Sequence, residues 1–159
     1  MENMNGQTCC FIGSKKIPFE KYDKIQKRLE DEIVKLIIQG VRCFRAGCSP
    51  GFDTMAGLAL LKLRYRFPQI RLVLMLPYRD HTKSWSKKDI KTYGMILEGA
   101  DEAVYVSDYY YNGCAQKRNR ALVDGSRFCV CYLTGASGGG ERALGYALKN
   151  GLKIIDLAK

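Results

Sequence analysis

Short apolar runs alternate with longer amphipathic stretches along most of this chain. The run TCCFI at 8–12 predicts a buried strand, ended by Gly13 and Pro18. Between 19 and 39 the spacing turns helical, with Ile25, Leu29, Ile33, Leu36 and Ile37 on one face and Gly40 as C-cap. Residues 41–46 predict a second strand, and 53–66 a second helix stopped by Pro68. The run IRLVLML at 70–76 predicts a third strand. A helix over 82–98 follows, with Thr82 or Ser84 as its N-cap. The remainder predicts a strand at 103–106, a helix at 116–125, a strand at 127–133, a helix at 138–150 ended by Gly151, and a strand at 153–157.

The strands are apolar throughout, which means burial on both faces. Strands of that kind between helices predict a parallel sheet with helices on either side. Right-handed crossovers then give an α/β fold: a Rossmann-like three-layer α/β/α sandwich with a mostly parallel sheet of about six strands. No linker, repeat or low-complexity segment divides it, so one domain over 1–159 is expected. In such sheets ligands sit beyond the C-terminal strand ends. The loops there are 13–16, 47–53, 77–85, 107–119 and 134–142. The unusual residues of the chain fall in these five loops, which argues for one composite site.

The first candidate is the turn before the second helix, with Gly47, Ser49, Pro50 and Gly51. Such a turn aims backbone N–H groups at an anion. Asp53 is expected to cap the helix while sharing the ligand wall, where it would bond a ribose hydroxyl or a loop N–H. Gly138, Gly139 and Gly140 allow close approach of a phosphate to a helix N-terminus. Arg118 and Asn119 suit phosphate binding, with Arg120 turned to solvent. Tyr78 is a candidate base stacker, and Trp85 is expected to pack its helix onto the sheet. His81, the lone histidine, lies among Arg79, Asp80 and Lys83. It is expected to be exposed and without a partner for acid–base work.

Composition narrows the partners. The formal net charge is +10, which favours nucleotides, phosphates or nucleic acid. Much of that charge is dispersed on predicted helices and interleaved with acids, which favours a small anion over a polynucleotide. The seven cysteines include no CxxC pair, and one histidine does not make a zinc site. Reduced, mostly buried thiols are expected. Cys48 and Cys114 lie in loops, where a thiol is open to reaction. No apolar run is long enough to span a bilayer, and the start of the chain lacks signal-peptide order, so a cytoplasmic protein is expected.

Four segments together resemble one family. Thr8-Cys-Cys-Phe-Ile-Gly13 is similar to "CCFTGHR", and Gly47-Cys-Ser-Pro-Gly-Phe-Asp-Thr-Met-Ala56 to "GMAxGFDxxAA". Pro77-Tyr78, Trp85, Tyr93, Ile96-Leu97 and Ala100-Asp101 follow "PYxxQ…W…Y…IL..AD". Val106-Ser107, Arg118-Asn-Arg120, Val123-Asp124, Ser137-Gly-Gly139 and Tyr146-Ala147 follow "VS…RNxxMVD…GGT…YA". The pattern resembles the SLOG superfamily of Smf/DprA and LOG proteins, in its YpsA-like branch of small bacterial proteins. The resemblance implies a domain that binds a nucleotide or nucleotide-derived ligand, such as an ADP-ribose- or NAD-like molecule or a nucleoside monophosphate, with no cofactor required.

The departures from that pattern bear on chemistry. "GHR" becomes Gly13-Ser14-Lys15, and Lys lacks the planar fork of Arg. The glutamine of "PYxxQ" is His81, and the threonine of "GGT" is Gly140. Against the "PGGxGTxxE" of LOG phosphoribohydrolases, Gly145 stands where the catalytic glutamate belongs. That activity is therefore not carried over. Three readings remain. One is a binding or sensor module, with phosphate held by the glycine cradles, Lys15 and Arg118. One is a hydrolase of N-glycosidic or phosphate bonds, with Glu141 or Asp53 as acid or base. One is a DprA-like single-stranded DNA binder using Tyr109–Tyr111. A homodimer is the default assembly for such a domain.

Overall fold

In the computed structural model, residues 8–134 and 139–159 are described. The order is β1 (Thr8–Gly13), a 3-10 turn (Phe19–Lys21), α1 (Tyr22–Ile38), β2 (Cys43–Ala46), α2 (Phe52–Leu63), β3 (Arg71–Leu76), α3 (Lys87–Gly99), β4 (Glu102–Tyr105), α4 (Cys114–Val123), β5 (Phe128–Tyr132), α5 (Gly139–Lys149) and β6 (Lys153–Asp156). All six strands form one sheet in the order β4-β3-β2-β1-β5-β6, and every neighbouring pair is parallel.

The two-residue period of a strand sorts the core into two layers. Cys9, Phe11, Phe44, Leu72, Leu74, Leu76, Val130 and Tyr132 face α1, α2 and α3. Cys10, Ile12, Cys43, Val73, Met75, Cys129 and Cys131 face α4 and α5. Both faces are apolar because both are covered. All seven cysteines are free and buried, five of them on the central strands.

Arg45 is the charged exception on β2. Its guanidinium donates to the backbone oxygens of Ala121, at 3.3 Å, and Asp124, tying the C-terminal end of α4 to the sheet. Those carbonyls carry the negative end of the helix dipole, so a cation there is favourable.

Several boundaries move, for local reasons. β2 starts at Cys43 rather than at 41, because the Val41 N–H still closes α1 by donating to Leu36 O. α3 starts at Lys87 rather than at 82. Ser86, not Thr82 or Ser84, caps it by accepting the Asp89 N–H at 3.1 Å. The preceding residues form successive turns, with Trp85 N–H donating to Thr82 O. α4 begins at Cys114, two residues early, straight after Gly113.

Strand order reverses between β1 and β5. The chain moves outward through β2, β3 and β4, then returns to pair β5 with β1, Gly13 opposite Tyr132. The C-terminal ends of β1 and β5 thus send their loops in opposite directions and open a crevice. Phe52, fully buried at the start of α2, packs beside it against Phe11 and Tyr132, with ring centroids 6.5 and 6.3 Å away. Phe52→Ala should therefore cost about 3–5 kcal/mol in urea unfolding through the cavity left behind. A loss below about 1 kcal/mol would show that α2 is anchored elsewhere.

Candidate functional site

A cavity of about 810 Å³ occupies this crevice. Gly13, Ser14, Lys15, Ser49, Asp53, Tyr78, Arg118, Asn119, Gly139, Gly140 and Glu141 all line it. Residues from five loops thus converge on one space, as the sequence predicts. Gly47, Gly51 and Ser107 are not on its wall, and Gly138 lies outside the described residues.

The residues behind the wall shape it. Gly51 has φ of 96°, and a Cβ there would strike the backbone oxygens of Lys15 and Ser14. Gly47 has no room for a Cβ, which would lie 2.6 Å from Asp53 Oδ2 and 2.8 Å from Arg118 Nη1. Ser107 Oγ donates to Tyr109 O at 2.6 Å and helps shape the tyrosine loop. Ser14 is likewise engaged: its Oγ accepts from the Thr134 N–H at 3.1 Å and locks the β1 and β5 loop ends together.

The Gly47–Asp53 turn differs from an open anion cradle. The Phe52 N–H donates to Ser14 O, and Ser49 O accepts from Thr54 Oγ1. Asp53 does not cap α2. Gly51 occupies the N-cap position, and the Asp53 carboxylate accepts the Ser49 N–H at 3.2 Å. The turn therefore brings its own anion to the start of the helix. The α4 N-terminus also reaches the cavity, at Cys114 and Ala115, and so does that of α5, opened by Gly139 and Gly140 and followed by Glu141. The latter carries the positive end of the α5 dipole.

Arg118 dominates the electrostatics. Its Nε donates to Asn119 Oδ1 at 3.0 Å, while Nη1 is buried and has no hydrogen-bond partner. A buried, unsatisfied guanidinium nitrogen is costly, so a ligand oxygen placed there gains strongly. Burial pushes the Asp53 carboxyl pKa up, opposed by Arg118, the Ser49 N–H and Lys15. Lys15 is exposed at the mouth, and Glu141 is half-buried on the α5 side.

His81 corrects the sequence expectation. It is buried, with 8% of its surface exposed, and it has two polar partners. Nδ1 is 3.5 Å from Cys48 Sγ, and Nε2 is 3.1 Å from the Tyr93 hydroxyl. The rings of Tyr78, Trp85 and Tyr93 meet it edge-on, at 6.4, 5.4 and 5.0 Å. Burial, aided by Arg118, lowers the His81 pKa and favours the neutral ring. Burial pushes the Cys48 thiol up to about 12, with Arg118 opposing. Cys48 and Cys114 are both buried, although both line the cavity. Trp85 packs against both His81 and Tyr93, the packing role expected of it, but from the turn before α3 rather than from a helix, and it also lines the cavity. Tyr78 stands edge-to-face with Tyr110, 5.6 Å away, at the wall.

Sequence reasoning placed Cys48, His81, Tyr110 and Thr134 in the right loops without assigning them to the wall. The available signal was departure from pattern: Cys48 stands at the methionine of "GMAxGFD" and His81 at the glutamine of "PYxxQ". No group of three or more His, Cys, Asp or Glu residues suited to a metal ion occurs among the described residues. No helix among them is long and apolar enough to cross a membrane.

An all-parallel six-stranded α/β sheet with a cleft at its point of strand reversal defines a Rossmann-like fold. The model of the YspA SLOG family matches residues 14–144, and the chain belongs to that family. A UPF0398 protein of Halalkalibacterium halodurans is 33% identical over 64% of this chain and 55% of its own length. The chain thus spans about half of that relative. An uncharacterised SPbeta prophage-derived protein, YoqJ, of Bacillus subtilis is 28% identical over 80% of both chains. Among solved structures, DNA processing protein A of Helicobacter pylori, described for its unique single-stranded DNA binding mode, matches with a TM-score of 0.67 at 14% identity. That match covers 97% of this chain and 66% of the other. DNA processing protein A of Streptococcus pneumoniae matches with a TM-score of 0.55 at 12% identity, over 96% of this chain and 59% of the other. These two likenesses establish the shared fold.

The raised Asp53 pKa has a testable consequence for stability. A carboxyl whose folded pKa lies above its unfolded value binds more protons when folded, so folding loses stability as pH rises through that window. Asp53→Asn keeps an acceptor for the Ser49 N–H. It should raise the melting temperature of the unliganded protein at pH 7, and the gain should shrink as pH falls toward the ordinary carboxylate pKa. A variant less stable than the wild type at pH 7 would mean that the attraction to Arg118 outweighs burial.

Proposed function

We propose that this protein is a SLOG-type binding domain for a nucleotide or nucleotide-derived ligand, acting as a sensor or regulatory module. The observation that carries the reading is the buried Arg118 Nη1, which lacks a partner and lies beside a cavity of about 810 Å³. That volume falls within the range of small-molecule sites. A ligand phosphate paired with Arg118 would satisfy the orphaned donor. Asn119 holds the guanidinium in place, and Lys15 adds charge at the mouth. The α5 N-terminus at Gly139 and Gly140 offers a second phosphate contact. Asp53 supplies an acceptor for a ribose hydroxyl, and Tyr78 with Tyr110 offers an aromatic edge for the base.

The reading predicts stabilisation by ligand. A screen of nucleoside monophosphates, NAD derivatives and ADP-ribose should contain at least one that raises the melting temperature, with a shift that grows with concentration. Arg118→Ala should weaken binding of that ligand by about tenfold or more in calorimetry, the scale of one lost charged hydrogen bond. No shift with any of them at millimolar concentration would refute the reading.

A second reading has its own observation. Tyr109, Tyr110 and Tyr111 are 81%, 69% and 42% exposed on the loop before α4, and Tyr110 reaches the cavity wall. Exposed aromatics beside a basic cleft suit single-stranded nucleic acid, which the Helicobacter pylori neighbour is described as binding. Under this reading an oligonucleotide binds with strong salt dependence, and a Tyr109→Ala/Tyr111→Ala double variant weakens it. No binding at low salt would exclude it.

A further inference from the structure

Cys48 and His81 lie 33 positions apart in the chain, and both depart from the family pattern. The fold brings these two departures into contact at the cavity wall. Cys48 Sγ lies 3.5 Å from His81 Nδ1. The other imidazole nitrogen, Nε2, lies 3.1 Å from the Tyr93 hydroxyl. With an Nε2–H donated to the Tyr93 oxygen, Nδ1 presents its lone pair to the thiol. The edge-on rings of Trp85 and Tyr93 hold the imidazole in that orientation. Arg118 lies beside both groups: its charge and a side-chain hydrogen bond oppose the burial that raises the thiol, and its charge adds to the burial that lowers the imidazole. A thiol, a base facing it and an anion anchor therefore share one wall.

We propose that Cys48 is a nucleophilic thiol, with His81 as its general base, toward an anionic ligand whose electrophilic carbon lies within a few bonds of the anionic group. The inference shares with the binding reading only the role of Arg118 as anion anchor. The ligand anion pairs with Arg118, which brings the carbon to Cys48. The S–H bond breaks as its proton passes to His81 Nδ1, and the sulfur electron pair forms the C–S bond. At a carbonyl carbon the π pair moves to oxygen and His81 returns the proton there, leaving a thiohemiacetal and a neutral imidazole. At a carbon bearing a leaving group, that group departs with the bonding pair and His81 keeps the proton. Burial keeps the resting thiol protonated and favours the neutral imidazole, so proton transfer to Nδ1 accompanies C–S bond formation rather than preceding it.

Iodoacetate and iodoacetamide test this on the intact chain, with peptide mass spectrometry assigning each adduct. Iodoacetate carries its carboxylate directly on the reactive carbon, and iodoacetamide is its neutral counterpart. The first adduct should form on Cys48, ahead of Cys114, which lines the same cavity. Cys48 should react faster with iodoacetate than with iodoacetamide, and Arg118→Gln should abolish that preference. His81→Gln should slow both reagents at Cys48 by about tenfold or more, the lower end of general-base effects. If His81→Gln does not fold, Tyr93→Phe, which removes the partner of Nε2, should change the pH profile of alkylation. No adduct on Cys48 in the folded protein, or faster reaction with the neutral reagent, would overturn the proposal. So would a rate and pH profile untouched by the His81 or Tyr93 variant. No nucleotide is needed, so alkylation without nucleotide binding would count against the binding reading alone, and binding without alkylation against this one.

Discussion

β1 is hydrogen-bonded on both edges, to β2 and to β5, and the rest of the architecture follows from that position. A strand built first and placed near the centre obliges the chain to leave in one direction and return for the other. The return brings the loops after β1 and β5 together at one sheet edge, where they diverge. Ser14 fixes the junction through its backbone bond to Tyr132 and its hydroxyl bond to Thr134. Phe52 packs beside it, against Phe11 and Tyr132. The cleft is thus a consequence of strand order, and the polar residues at its rim act where topology leaves space.

Within that cleft the charges are arranged unevenly. Asp53 is paired with a backbone N–H, whereas one nitrogen of Arg118 is unpaired and buried. A buried donor without a partner carries a desolvation cost that an acceptor placed beside it would relieve. The same guanidinium biases its neighbours. Burial lowers the His81 pKa and Arg118 adds to it, while Arg118 opposes the burial that raises Cys48 and Asp53. Ligand charge at Arg118 would therefore alter the protonation balance of the whole wall.

Much of this was legible along the chain. Apolar strands such as FCVCY, flanked by helical stretches, are buried on both faces, which points to a parallel sheet. The five loops follow from the same alternation, and Arg118, Asn119 and Gly140 lie on the cavity wall as their loops predict. Ser107, bonded within its own loop, and Ser14, bonded to Thr134 across the β1–β5 junction, were less legible, because either has the same sequence signature as a serine on an open wall. The start of α3 was missed because helical spacing continues through residues that in fact form turns.

His81 marks the limit most clearly. Its neighbours in sequence are charged, which argues for exposure, yet the turns before α3 rotate it inward between Trp85 and Tyr93. Its contact with Cys48 joins the loops after β3 and β2, and no local pattern encodes a pairing across two strands. The sequence by itself determined the layers, the strand type and the loops that carry the site, since these follow from periodicity and turn chemistry. Only the tertiary structure decided which side chains in those loops meet and which donor is left unpaired. Contact and desolvation depend on neighbours brought together from distant parts of the chain.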